Sequence, residues 1–205
     1  SIFETDKQDL QDGVDSRNLD IDDFYKVLNA LFKELDLIDL DIENHVRSKF
    51  AFIKAFPNEE YRQNNVVTYR VLDTSPFVAV NNTVPGKNAT YHNPMYKDQR
   101  YNTTSGVVEE IYTQTKKHII EIRCFSVTGE TCTKLTKLIE DIFIIYVSIL
   151  SKYVTKIRNI KTTGLEFIGE YEQKRLFSRA IYLEVCTNIS YSVNLEQLKN
   201  VTLKI

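Results

Sequence analysis

Residues 118–153, HIIEIRCFSVTGETCTKLTKLIEDIFIIYVSILSKY, change their apolar period part-way along. From His118 to Val127 the period is two: Ile120, Ile122, Cys124 and Ser126 fall on one side, and Ile119, Glu121, Arg123 and Phe125 on the other. That alternation predicts a strand. Thr128 and Gly129 mark a turn. From about Glu130 to Tyr153 the apolar steps are three and four, through Leu135, Leu138, Ile139, Ile142, Ile145, Tyr146, Ile149 and Leu150. This predicts one long amphipathic helix, with Lys134, Lys137, Glu140 and Asp141 on its far face. Phe143, Ile144 and Val147 widen the stripe. The helix is therefore expected to be touched on more than one side, as the central core helix or by packing partly on another copy of the chain.

Working outward, residues 107–115 and 118–127 read as an antiparallel hairpin turning at Lys116-Lys117. Further upstream, 65–73 and the aromatic-rich 47–56 read as strands, and PFVAV after Pro76 as a short extended piece. Phe24, Val27, Leu28, Leu31, Phe32 and Leu35 define a helix from about Asp22 to Asp36, with Asp20 or Asp22 as its cap. The Asp39, Asp41 and Glu43 run lacks the turn glycine of a calcium loop and reads as a solvated face. Downstream come a basic segment at 152–161, a short strand at 164–171, and a long strand at 174–193 with Phe177, Ile181, Leu183 and Val185 on one face. The tail, 194–205, holds a helical turn and a last short strand. The predicted class is α+β: a mixed, largely antiparallel β-sheet flanked by an N-terminal helix and one long central helix. Residues 1–19 are expected to be a flexible acidic arm and 20–205 a single domain with a long loop or hairpin insertion at 81–106.

Charge is distributed unevenly. Residues 1–45 carry 13 Asp/Glu against 4 Lys/Arg, a balance of −9, and the remainder carries 15 against 22, a balance of +7. An acidic entrance on a basic body suggests self-complementarity, within a chain or between neighbours, or simply a solvated acidic face. Asp20, Asp22 and Asp23, with Arg175 and Arg179, are the candidate subunit-interface residues. The positive excess is spread without a basic run, so no specific nucleic-acid partner is expected. No apolar run reaches the roughly 20 residues of a membrane helix, so no membrane partner is expected either. The 81–106 segment has almost no aliphatic residues but keeps tyrosines and cations. Tyr91, Tyr96, Lys97, Arg100 and Tyr101 are candidate partner-binding residues, because tyrosine and arginine give contact area at low entropy cost.

Chemistry is poorly supplied. Nucleophile-elbow, phosphate-loop, dinucleotide and zinc-protease patterns are missing, and 6 glycines leave little for phosphate cradles. Glu109 and Glu110 are adjacent and point to opposite faces of a strand, while Glu121 and Arg123 share a face and suit an ion pair. His45, His92 and His118 have no ligand spacing, and Cys124, Cys132 and Cys186 lie in or beside apolar segments. Reduced buried thiols, no metal and no cofactor are expected, and the chain reads as a non-enzyme. Five N-x-S/T sequons start at Asn81, Asn88, Asn102, Asn188 and Asn200, where chance gives about two. The odd cysteine count and the acidic first ten residues, without a hydrophobic core, weigh against a secreted glycoprotein.

The order strand HIIEIRCFSV, long helix, short strand, then Tyr171, Glu172, Arg175, Phe177, Arg179, Ile181, Leu183 and Val185 resembles the tail-terminator (tail-completion) proteins of tailed bacteriophages. The N-terminal helix followed by VVTYRVLDTSPF, residues 66–77, fits the same pattern, which spans about 24–190. The insert at 81–106 and the arm at 1–19 go beyond it. The resemblance implies a homo-oligomeric ring, a hexamer, that caps the tail tube and meets the head–tail connector or neck protein. It implies a virion protein of the tail–neck junction, assembled in the host cytoplasm. Another neck, tail-tube or baseplate component is the alternative, and a small enzyme a more distant one.

Overall fold

The computed structural model describes residues 19–38, 49–54, 65–76, 95–171 and 174–194. It is an α+β structure: a mixed, mostly antiparallel sheet with an N-terminal helix and a longer central helix. Helix α1 spans Ile21–Glu34. Asp20 caps it, its carboxylate accepting from the Asp22 N–H at 3.2 Å, and Asp22 and Asp23 lie in the positive first turn. Strands β1 (Ala51–Lys54) and β2 (Asn65–Pro76) pair in parallel. β3 (Met95–Asn102) and β4 (Val107–Ser126) form an antiparallel hairpin. Helices α2 (Gly129–Ile145) and α3 (Val147–Leu150) lead to β5 (Lys156–Thr162), β6 (Glu166–Tyr171) and β7 (Lys174–Asn194).

The sheet runs β1-β2-β4-β7-β5 around the antiparallel β4–β7 pair, which stays in register from Glu109–Asn194 to Ser126–Phe177. β3 continues the β2 side of β4, and β6 continues the β5 side of β7. One face holds the main core. Phe24, Val27, Leu28, Leu31 and Phe32 of α1 and Leu135, Ile139, Ile142 and Phe143 of α2 pack with Val67, Tyr69, Ile120, Ile122, Cys124, Ile181, Leu183 and Val185. The period-two reading of 118–126 holds here, since Ile120, Ile122 and Cys124 are fully buried. Two tyrosine hydroxyls fasten α1: Tyr25 donates to the Phe52 carbonyl and Tyr69 to the Ile21 carbonyl, each at 2.8 Å.

Three expectations need correction. Lys116-Lys117 is not a turn, and β4 is one strand of 20 residues. The lysines offer no positive-φ turn chemistry, and β7 pairs with them through Thr187 and Cys186. The central helix ends at Ile145 rather than Tyr153. Tyr146 leaves helical geometry at φ −99°, ψ 16°, and the redirected chain buries Leu150 and Val154 completely. The buried stripe is correspondingly rotated to Cys132, Leu135, Thr136, Ile139, Ile142 and Phe143. Leu138 and Ile149 are half-buried, and Ile145 faces out. The basic segment after the helix forms β5, whose Lys-Ile-Arg alternation fits a sheet edge. Within 81–106, expected as a long loop or a hairpin insertion, residues 95–102 form a strand that pairs antiparallel with β4, with a register shift between Tyr96 and Asp98, because β4 extends far enough to template it. Residues 1–18, 39–48, 55–64, 77–94, 172–173 and 195–205 lie outside the described residues, Glu172 of the resemblance among them. So therefore do most of the arm, the Asp39–Glu43 run, PFVAV beyond Pro76 and nearly all of the tail.

Candidate assembly surfaces

Three surfaces could meet a partner. The first is the β3–β4 hairpin with its turn at 103–106. Asn102 Oδ1 accepts from the Thr104 and Ser105 N–H groups at 3.0 and 3.2 Å, and Gly106 takes φ +69°, a left-handed conformation that glycine adopts without strain. Of the predicted contact residues, Arg100 is exposed opposite Glu109, and Tyr101 is 61% exposed opposite Val108. The backbones of Tyr96 and Lys97 are in β3, but their side chains lie outside the described residues, as does Tyr91 altogether. Two sequon asparagines are engaged here and nearby: Asn102 donates to Glu109 at 3.2 Å, and Asn188 accepts from Thr115 at 2.7 Å.

The second surface is the sheet face away from the helices. A small apolar cluster of Ala51, Ile53, Val66 and Phe125 occupies one end. Beside it Glu121 is buried yet charged, its carboxylate taking Arg123 at 3.1 Å, Arg70 at 3.2 Å and the Tyr182 hydroxyl at 3.0 Å. Burial alone would raise the Glu121 pKa. Arg123, Tyr182 and Arg70 outweigh it and hold the carboxyl below its ordinary value. Further along, Lys156 and Arg158 clamp Glu184 at 3.1 and 3.0 Å with the same net effect. The lateral pairing of Glu121 with Arg123 was legible in the sequence. The contributions of Arg70, Tyr182 and the whole Glu184 group were not, since they come from other strands.

The third surface is a groove of about 640 Å³ between α2 and the β5 side of the sheet. Lys137, Glu140, Ile144 and Val147 form its helix wall, with Ile157 and Arg179 across from them. Its rim carries Ile144 at 71% exposure, with Val147 also exposed, and Ile145, next to them in the chain but not lining the groove, is 66% exposed. Arg179, half-buried, donates from Nε to the Thr163 carbonyl at 3.0 Å, so it braces β7 to the β5–β6 turn inside the subunit. Arg175 is exposed and faces Glu170 at 3.7 Å. Asp20, Asp22 and Asp23 are gathered at the start of α1, where Asp23 pairs with Lys26 at 2.6 Å. The structure thus keeps the candidate aspartates together but does not bring them to the candidate arginines.

Titratable chemistry is internal. All three cysteines are free and buried, and burial raises each thiol, that of Cys124 to about 12. His118 sits between two hydroxyls, Thr74 Oγ1 at Nδ1 and Thr187 Oγ1 at Nε2, both 2.9 Å. Burial and the charge of Lys116 lower its pKa against the opposing pull of Asp20 and Asp22. Its proton is therefore bound more tightly in the unfolded chain. Stability unaffected by His118 above about pH 6.5 should fall as pH drops below that value, and the lowered carboxyls of Glu121 and Glu184 add a further loss below about 4.5. Melting curves of wild type and His118→Gln between pH 7 and 5 check this. The variant should lose less on acidification, and parallel curves would refute the assignment.

Among the described residues no group of three or more His, Cys, Asp or Glu is placed to hold a metal ion. Among them, too, no helix is long and apolar enough to cross a membrane. Comparison with protein-family models and with curated proteins finds no match to this chain.

Proposed function

We propose that this chain is a structural subunit of a tailed-bacteriophage virion, a tail-terminator-like protein whose copies form a ring at the tail–neck junction. The observation that carries this reading is the run of exposed aliphatic side chains Ile144, Ile145 and Val147, two of which, Ile144 and Val147, line an open groove. A subunit that stayed alone would leave these side chains in water, whereas assembly removes them from it. The order of strand, central helix and long strand keeps the resemblance to tail terminators in play, and the buried, raised thiols suit a packing role. In this reading the exposed Arg100 and Tyr101 of the β3–β4 hairpin contact the tail tube, and the opposite side of the ring meets the head connector.

The test is native mass measurement followed by electron microscopy with polymerised tail tubes. Six copies in a closed ring at tube ends support the proposal. A protein monomeric at every concentration overturns it, and open polymers of indefinite length would point instead to a tube component. Arg100→Ala/Tyr101→Ala should leave the melting temperature nearly unchanged, as exposed substitutions usually do within about 0.5 kcal/mol. Its capping of tubes should fall at least about tenfold, since arginine and tyrosine dominate such contacts. Normal capping by this variant would remove the hairpin from the interface.

A further inference from the structure

Exposed apolar surface is concentrated on one side of the protein. Among the described residues ten large apolar side chains are exposed, and seven of them belong to the end of α2, the start of α3, β5, β6 and the β5–β6 turn. They follow the flank of α2 for its whole length. At the helix start Leu165 lies over Gly129, where an added Cβ would come within 2.7 Å of it. Phe167 meets Phe177 beside it, with ring centroids 5.5 Å apart. Midway, Thr162 of β5 donates to Glu140 of α2. At the helix end Ile144 and Val147 line the groove together with Ile157, and Ile145 stands one turn beyond Asp141, which also lines it. The remaining two, Ile160 and Ile168, sit at the register shifts of β5 and β6. Such bulges turn an extra side chain out of the ladder and spoil the edge for a further strand. Charges of both signs are interspersed: Lys137 with Glu140 and Asp141 on α2, and Arg175 with Glu170 on the β6–β7 hairpin.

We infer that this strip, from Leu165 and Phe167 to Ile144 and Val147, is the surface by which one copy of the chain packs on a second copy. The area fits such an occupant. The seven exposed residues leave about 700 Å² in water, above the ~300–600 Å² of the largest apolar patch on a typical monomer and near the ~800 Å² that each partner buries in a standard interface. The charge fits it as well. Both signs side by side suit a partner of balanced charge, as this chain is at −2, and not a polyanion such as nucleic acid or an anionic membrane. α2 itself is apolar on two sides, toward the sheet through Ile139 and Ile142 and outward through Ile144 and Ile145, the pattern of a helix contacted twice. The bulges at Ile160 and Ile168 keep the contact to side chains, without a shared ladder. Phe167 is its aromatic anchor, and burial of apolar area rather than ion pairing supplies the affinity.

This inference rests on the ring reading, of which it gives one half of each subunit contact, and it is tested separately from it. Sedimentation would compare wild type with Ile145→Asp/Ile168→Asp on the strip and with Leu72→Asp/Val108→Asp, exposed apolar residues elsewhere, as the control. The strip variant should associate at least about tenfold more weakly, and the control within about twofold of wild type. Wild-type association should change less than about threefold between low and high salt, because apolar contact is not screened, and a steep loss with salt would overturn an apolar seam. Hydroxyl-radical footprinting of wild type above and below its association concentration needs no variant and is immune to a folding defect. Labelling of Ile144, Leu165 and Phe167 should fall severalfold on association, and unchanged labelling would overturn the inference. A strip variant that forms rings as well as wild type, or a control that loses as much as the strip variant, would also overturn it and leave the ring reading standing. A wild-type chain that never associates would overturn both.

Discussion

Phe32→Ala is expected to lower the stability of the chain by about 3–5 kcal/mol, the usual cost of emptying a buried aromatic site. Phe32 is fully buried, and its ring meets Phe50 at 5.3 Å and Phe52 at 5.0 Å, both edge-on. Those two rings, with Tyr25 stacked on Phe52, are the lateral packing that holds α1 to β1. The cavity cannot be refilled cheaply, because the rings around it are anchored in separate elements. For a chain of this length the loss corresponds to a fall in melting temperature of about 10 °C. Denaturant unfolding checks it, with exposed Lys33→Ala as the control expected within about 0.5 kcal/mol of wild type. A loss for Phe32→Ala below about 1 kcal/mol would mean that α1 does not sit on the sheet in solution.

Arg123→Ala should cost about 3 kcal/mol for a different reason. The substitution removes the cation that touches Glu121 at 3.1 Å while leaving the carboxylate buried. Uncompensated buried charge is expensive, typically about 3–5 kcal/mol. The low end applies because Arg70 and Tyr182 still bond to Glu121. Glu121→Leu/Arg123→Leu should be much closer to wild type, since no charge is then stranded. The pair of chemical unfolding curves separates this account from simple loss of packing. Should the double variant prove the less stable of the two, the penalty would lie in lost packing and not in the orphaned carboxylate. The apparent pKa of Glu121, followed by NMR, should also rise toward or above its ordinary value in Arg123→Ala, because burial then acts with less opposition.

The candidate surfaces were readable to different depths. Arg100 and Tyr101 were picked out by composition alone, and they do stand exposed on a hairpin. Arg179, an interface candidate from its place in the β7 pattern, lines the groove beside α2 while its Nε donates to the Thr163 carbonyl inside the subunit. A sequence shows which face of a strand a side chain occupies, but not what the neighbouring connection offers it. β5 was missed because its short apolar content, Ile157 and Ile160, is outweighed by Lys156, Arg158, Asn159 and Lys161. An edge strand is the one strand type that tolerates such charge, so the signal lay in the alternation and not in the hydropathy.

By itself the sequence determined the periods: the one-sided stripe from Phe24 to Phe32, the inward row Ile120, Ile122 and Cys124, and the buried line Ile181, Leu183 and Val185. Period follows from local backbone geometry, three or four residues per helical turn and two per strand, so those residues carry it without help. Lengths and breaks were decided by the tertiary structure. Lys116 and Lys117 stay extended because β7 pairs with them across the ladder, and the central helix stops at Tyr146 because Leu150 and Val154 gain full burial once the chain turns. The clusters around Glu121 and Glu184 belong to the same class, since each is assembled from strands that meet only when the sheet closes. Such outcomes depend on which surfaces residues distant in sequence bring together, and local geometry holds no information about that.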